Sequence, residues 1–223
     1  MSPFAELSAD GARRQARLVD ARLAVVTDSR RDGGDLDQFL RACCEASADL
    51  LLLRDKTATE DELRAASAVF RDVCDDFGAL FVLNDLPGLA TSVGADGVHV
   101  GLGDVLPDHA RRIVGADLLV GRSARSGRHV DAAGDEDVDY LTVGPVWHEV
   151  SSSDEGGVGL DPVTYASRHA AHPWFAAGGI TRERAPAVLD AGARRLSVGH
   201  EVADAAEPGP VLWDLRRLVA AHH

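Results

Sequence analysis

Eight short apolar runs, each followed by a stretch that reads as helix, constrain this chain more than any other feature. In order they are Leu23 to Asp28, Leu50 to Arg54, Ala79 to Leu83, Gly97 to Val100, Leu118 to Gly121, Tyr140 to Val143, Trp174 to Ala177 and Arg195 to Val198. They lack the polar alternation of a strand with one wet face, which predicts strands covered on both sides. Between them apolar residues recur at helical spacing. Glu60 to Phe77 is the clearest case, with Leu63, Ala66, Val69, Phe70 and Val73 on one face. Leu36 to Ala48, a short piece through Ala90, Val105 to Val114, Pro162 to His169, Arg182 to Ala191 and Val211 to Ala221 follow the same rule. The stretch holding Gly127 and Gly134 reads as a polar connection. Alternating strands and helices imply a parallel sheet. Eight such units in 223 residues, with no linker, fit a single α/β domain, a (β/α)8 TIM barrel over residues 23–223. A helical extension, residues 1–22, precedes it. The glycines at 97, 101 and 103 fall outside the first βα unit, which argues against a dinucleotide-binding sheet.

Charge narrows the partners. With 36 acidic against 23 basic side chains the net charge is −13, which disfavours nucleic acid and anionic membranes. A phosphorylated small molecule stays compatible, since a few placed cations can dominate one pocket. No run is long enough to span a bilayer and no signal-peptide core is visible, so the cytoplasm is the expected compartment. Three cysteines, two of them adjacent at Cys43 and Cys44, make neither a disulfide framework nor a zinc motif. Barrels commonly associate, so a homo-oligomer is an open expectation.

On a barrel the chemistry belongs at the C-terminal ends of the strands. Asp85 and Asp104 end the third and fourth units, and a carboxylate pair there suggests a magnesium site. The alternative is that each merely caps the next helix. Arg54 and Lys56 share parity with Leu52 and project to one side, as a diphosphate site requires; a solvated strand end with a salt bridge is the plainer reading. Gly178-Gly179 before Thr181 suits close approach of backbone to an anion, or only a turn. His99, inside an apolar run, reads as a hydrogen-bonded core or near-site residue, not a catalytic base. The Ser151 to Asp154 tract reads as a lid or a plain solvent loop. Ser123 follows no nucleophile-elbow pattern.

Taken in order, several segments resemble thiamine-phosphate synthases from about Leu23 to about Val202. They are Leu52 to Lys56, Asn84-Asp85, Gly94 to Gly101 with Asp104, Gly121-Arg122-Ser123, Asp139-Tyr140 with Gly144-Pro145, Ala177 to Ile180, and Ala191 to Ala193. The resemblance implies condensation of an aminopyrimidine diphosphate with a thiazole phosphate, releasing pyrophosphate. It also implies roles. Asp85 and Asp104 would bind magnesium. Arg54, Lys56, Ser123 and Arg125 are the candidate catalytic residues. Asn84, His99, Ser151, Ser152, Gly178, Gly179, Gly199 and His200 are the candidate substrate-binding ones.

The pattern departs from the family at particular positions. Leu52 and Leu102 stand where the family has glutamine, and Glu149-Val150-Ser151-Ser152 where it has Thr-x-Thr-Lys. Arg125 stands for a histidine and His200 for a serine; Arg125 is a candidate replacement for the charge of the missing lysine. These changes leave open a paralogue with isomerase, tautomerase or altered-substrate activity, and a ligand-binding pseudoenzyme. A tautomerase needs a proton shuttle at position 125, which a guanidinium supplies poorly.

Overall fold

The computed structural model describes residues 7–148 and 156–222. Eight parallel strands pair in sequence order, and the eighth pairs with the first, closing a barrel. They are β1 (Leu23–Thr27), β2 (Leu50–Leu53), β3 (Leu80–Asn84), β4 (Gly97–Val100), β5 (Leu119–Ala124), β6 (Tyr140–Val143), β7 (Trp174–Ala177) and β8 (Leu196–Val198). The helices are α1 (Ala9–Asp20), α2 (Leu36–Glu45), α3 (Glu60–Phe77), α4 (Pro87–Ser92), α5 (Pro107–Val114), α6 (Gly127–Ala133), α7 (Asp161–His169), α8 (Ala185–Asp190), α9 (His200–Ala203) and α10 (Pro208–Ala221). None is long and apolar enough to cross a membrane.

The unbroken Leu50-Leu51-Leu52-Leu53 run shows why alternation is absent. Leu50 and Leu52 point into the barrel beside Ala24, Leu80, Val82, Leu119 and Phe175, while Leu51 and Leu53 pack outward under α2 and α3. Both faces are dry, so both parities are apolar. Tyr140 fills the barrel between β5 and β6, and a Cβ at Gly121 would lie 2.2 Å from its ring, so only glycine fits there. Leu18 of α1 is fully buried in the same inner cluster. The N-terminal helix therefore plugs the floor of the barrel, leaving the opposite end for ligands.

Three elements differ from expectation, the first being the short α9, which follows β8 where no helix is expected. Gly127 to Ala133 is a helix, started by the Ser126 side chain accepting from the His129 N–H. β5 runs three residues further than Gly121, which places Ser123 inside the strand.

Candidate active site

Four of the predicted residues converge at the ends of β2, β3 and β4. Asp85 follows β3 in a left-handed backbone conformation, φ 69°, held by its N–H donating to His99 O at 2.8 Å. Asp tolerates that region better than most residues, and the turn aims its carboxyl at Asp104. Asp104 is fixed from the other side, its Oδ2 accepting the Gly101 N–H at 2.8 Å. The two carboxyls act directly on one another, each as the other's strongest side-chain partner. Burial and the neighbouring carboxylate push Asp85 up to about 7. Asp104, stabilised as the anion by the Asp85 carboxyl and by the Gly101 N–H, is held below the ordinary carboxylate range. Asp85 Oδ1 remains buried with no hydrogen-bond partner among the described residues. The capping alternative fails: the N-cap residues of α4 and α5 are Leu86 and Leu106.

Arg54 and Lys56 both act electrostatically on Asp85, and Lys56 acts on Asp104 as well. Asp55, between them, organises their turn. Its carboxylate accepts from Ser29 Oγ at 2.5 Å, Thr57 Oγ1 at 2.8 Å and the Thr57 and Ala58 N–H groups, each at 3.0 Å. Burial opposes its ionisation, but these donors outweigh it and bring Asp55 down to about 2.

Beneath the carboxylates lies a second polar layer. His99 Nε2 sits 3.1 Å from Ser123 Oγ and 3.2 Å from Thr142 Oγ1. Burial pushes the imidazole down to about 4, so it is neutral near pH 7. His99 is thus the predicted buried hydrogen-bonding residue, and its Nε2 meets the Ser123 hydroxyl. Asn84, the last residue of β3, shares inward parity with Val82 and pairs in register with His99. Thr142 escaped the sequence reading; its parity with inward Tyr140 was the available signal.

β7 and β8 lie diametrically across the ring from β3 and β4. There Gly179, Gly199 and His200 line a cavity of about 450 Å³ together with His148, Arg182 and Arg184. Gly178 has φ 95°, and a Cβ on it would lie 2.2 Å from Pro145 Cα, so the turn requires glycine. Arg125 donates from Nη2 to Gly156 O at 3.2 Å. Leu52 is buried facing inward, while Leu102 is exposed. Ser151 and Ser152, with the whole 149–155 tract, lie outside the described residues.

The profile of the thiamine monophosphate synthase family matches residues 23–202, the full run of barrel strands and the start of the last helices. The chain belongs to that family. A thiamine-phosphate synthase of Thermobifida fusca (strain YX) is 42% identical over 209 residues, spanning 92% of this chain and 95% of that protein. One from Mycobacterium bovis (strain BCG / Pasteur 1173P2) is 39% identical over 219 residues, spanning 93% and 98%. Among solved structures, a thiamine phosphate pyrophosphorylase from Pyrococcus furiosus superposes with a TM-score of 0.82 at 26% identity, covering 95% of this chain and 98% of that one. Thiamine-phosphate synthases as similar as these favour the synthase reading over the tautomerase and pseudoenzyme alternatives.

Proposed function

We propose that this chain is a transferase joining an aminopyrimidine, activated as its diphosphate, to a thiazole phosphate. Pyrophosphate and thiamine phosphate are the products. The observation that carries the reading is the Asp85–Asp104 carboxyl pair flanked by Arg54 and Lys56. Two carboxyls in contact, one with a buried unpartnered oxygen, are a donor set that a small hard cation satisfies. Asp85 and Asp104 would hold magnesium, which needs only one or two carboxylates when phosphate oxygens complete its shell. When bound, the ion neutralises charge on the leaving diphosphate.

The chain's own residues supply the rest. Arg54 and Lys56, aimed by Asp55, pair with the diphosphate, and Asn84 donates to it from the end of β3. Ser123, held by His99 and Thr142, offers its hydroxyl to the leaving oxygen. The bond between the pyrimidine methylene and the diphosphate oxygen breaks, and its electron pair departs with pyrophosphate. The thiazole nitrogen then gives its lone pair to the methylene carbon, forming the new carbon–nitrogen bond. With the acceptor's phosphate in the β7–β8 cavity and the donor at β2–β4, the reacting atoms meet over the barrel axis, where orientation does most of the work. Leu52 gives this floor an apolar surface.

The test is direct. Purified protein given both precursors and magnesium should release pyrophosphate and thiamine phosphate in equal amounts. No product at high enzyme concentration rejects the reading.

A further inference from the structure

The sequence pattern singled out the glycines of the β7–β8 cavity but not the cation that overlooks them. Arg184 ends the Thr181–Arg184 turn, its N–H donating to Thr181 O at 3.1 Å. Its Nη1 donates to Gly179 O at 2.9 Å, and the guanidinium lies 5.2 Å over the Trp147 ring. A Cβ on Gly179 would come within 2.8 Å of Trp147 Cβ and 3.3 Å of Arg184 Nη1, so the three groups are packed as one unit. Stacking and the Gly179 carbonyl fix the plane of the guanidinium and leave most of its five donors unspent.

The electrostatics of the lining separate Arg184 from its neighbour. Arg182 is bound by Glu201 at 3.2 Å and Asp214 at 3.4 Å. Arg184 has no carboxylate within ion-pair distance among the described residues, although it is exposed at the rim of the cavity. The remaining acid of the lining, Asp204, is the C-cap of α9. A pre-oriented fork without a counter-ion among the described residues, facing a cavity larger than a lone phosphate, suits a phosphate monoester carried on an organic body.

We propose that Arg184 is the specificity-determining residue for the acceptor, pairing with its phosphate and so selecting the phosphorylated acceptor over the corresponding alcohol. This rests on the function proposed above. Arg184→Ala removes the fork and Arg184→Lys keeps the charge without the planar donors. In steady-state assays with thiazole phosphate and thiazole alcohol as rival acceptors, the preference for the phosphate, as a ratio of kcat/KM values, should fall about tenfold to a hundredfold in Arg184→Ala. Arg184→Lys should recover part of it. The loss should sit in KM for the phosphorylated acceptor. An unchanged ratio, including the case where both acceptors suffer equally, overturns the proposal.

A second measurement does not depend on turnover. Inorganic phosphate titrated into the wild type should shift the Trp147 indole N–H resonance, assigned with Trp147→Phe, and should fail to do so in Arg184→Ala. Equal shifts in both, or none in the wild type, overturn the proposal. Absence of any condensation by the wild type would sink the function, while the phosphate titration would still report on Arg184.

Discussion

Asp85 is the residue under most tension. Its carboxyl is raised to about 7 from an ordinary 3.8 by burial and by Asp104, so the stability it contributes is complete below pH 3.8 and lost as pH rises through 7. Asp85→Asn should therefore stabilise the metal-free protein at pH 8, by about 1–3 kcal/mol. The same change should cut kcat/KM for condensation by about 10²–10³. Thermal melts at pH 8 beside initial rates check both; a variant that is less stable and equally active contradicts them. His99 gives the complementary pH effect. Its depressed value means that stability falls as pH drops from 6.5 towards 4, because the unfolded imidazole takes a proton that the buried one resists. Denaturant melts from pH 7 to 4 should show a shallower decline in His99→Gln than in the wild type. Parallel declines would show that other groups govern the acid limb.

At the scale of elements, a repeated device ties the strands at the closed end of the barrel. Asp49, Asp96 and Asp139 each stand just before an even-numbered strand and accept an N–H from the preceding odd one: Leu23 at 2.9 Å, Phe81 at 2.9 Å and Val120 at 2.6 Å. Each also binds arginine: Arg216 for Asp49, Arg14 and Arg71 for Asp96, Arg111 for Asp139. The series breaks before β8, where Arg195 stands instead and donates to Ala21 and Val19 carbonyls. Asp96 is the most buried of the three. Asp96→Ala should cost about 3–5 kcal/mol, since it takes the buried carboxylate from both Arg14 and Arg71 and the acceptor from the Phe81 N–H. Chemical denaturation measures it, and a loss below 1 kcal/mol would show that the arginines find other partners. The strands themselves were legible because a dry sheet needs apolar residues at every position. α6 was not, because Gly127 and Gly134 bound it like loop residues and its Ser126 cap is a single local signal. The pairing of Asp85 with Asp104 at neighbouring strand ends was legible in the sequence, while their direct contact depends on the left-handed turn at Asp85. Arg184 went unnoticed because its role comes from packing on Trp147, far away in the chain.

Across the whole molecule, one end is sealed and the other is divided between two charged sites. Leu18 seals the floor; Leu18→Ala should cost about 2.5–5 kcal/mol by opening a cavity under the inner layer. A thermal melt with an unchanged midpoint would show that α1 merely lies against the barrel. At the open end the carboxyl pair and the β7–β8 cavity face one another across the axis, which would let the proposed donor and acceptor approach from opposite sides. The claim on which the rest depends is that Asp85 and Asp104 jointly hold a divalent cation beside a diphosphate. Calorimetric titration of magnesium into protein saturated with inorganic pyrophosphate tests it most directly, comparing the wild type with the double variant Asp85→Asn, Asp104→Asn. One equivalent should bind the wild type, with affinity lowered at least about a hundredfold in the variant, or roughly 2.7 kcal/mol. Magnesium binding as tight in the variant as in the wild type would contradict the account.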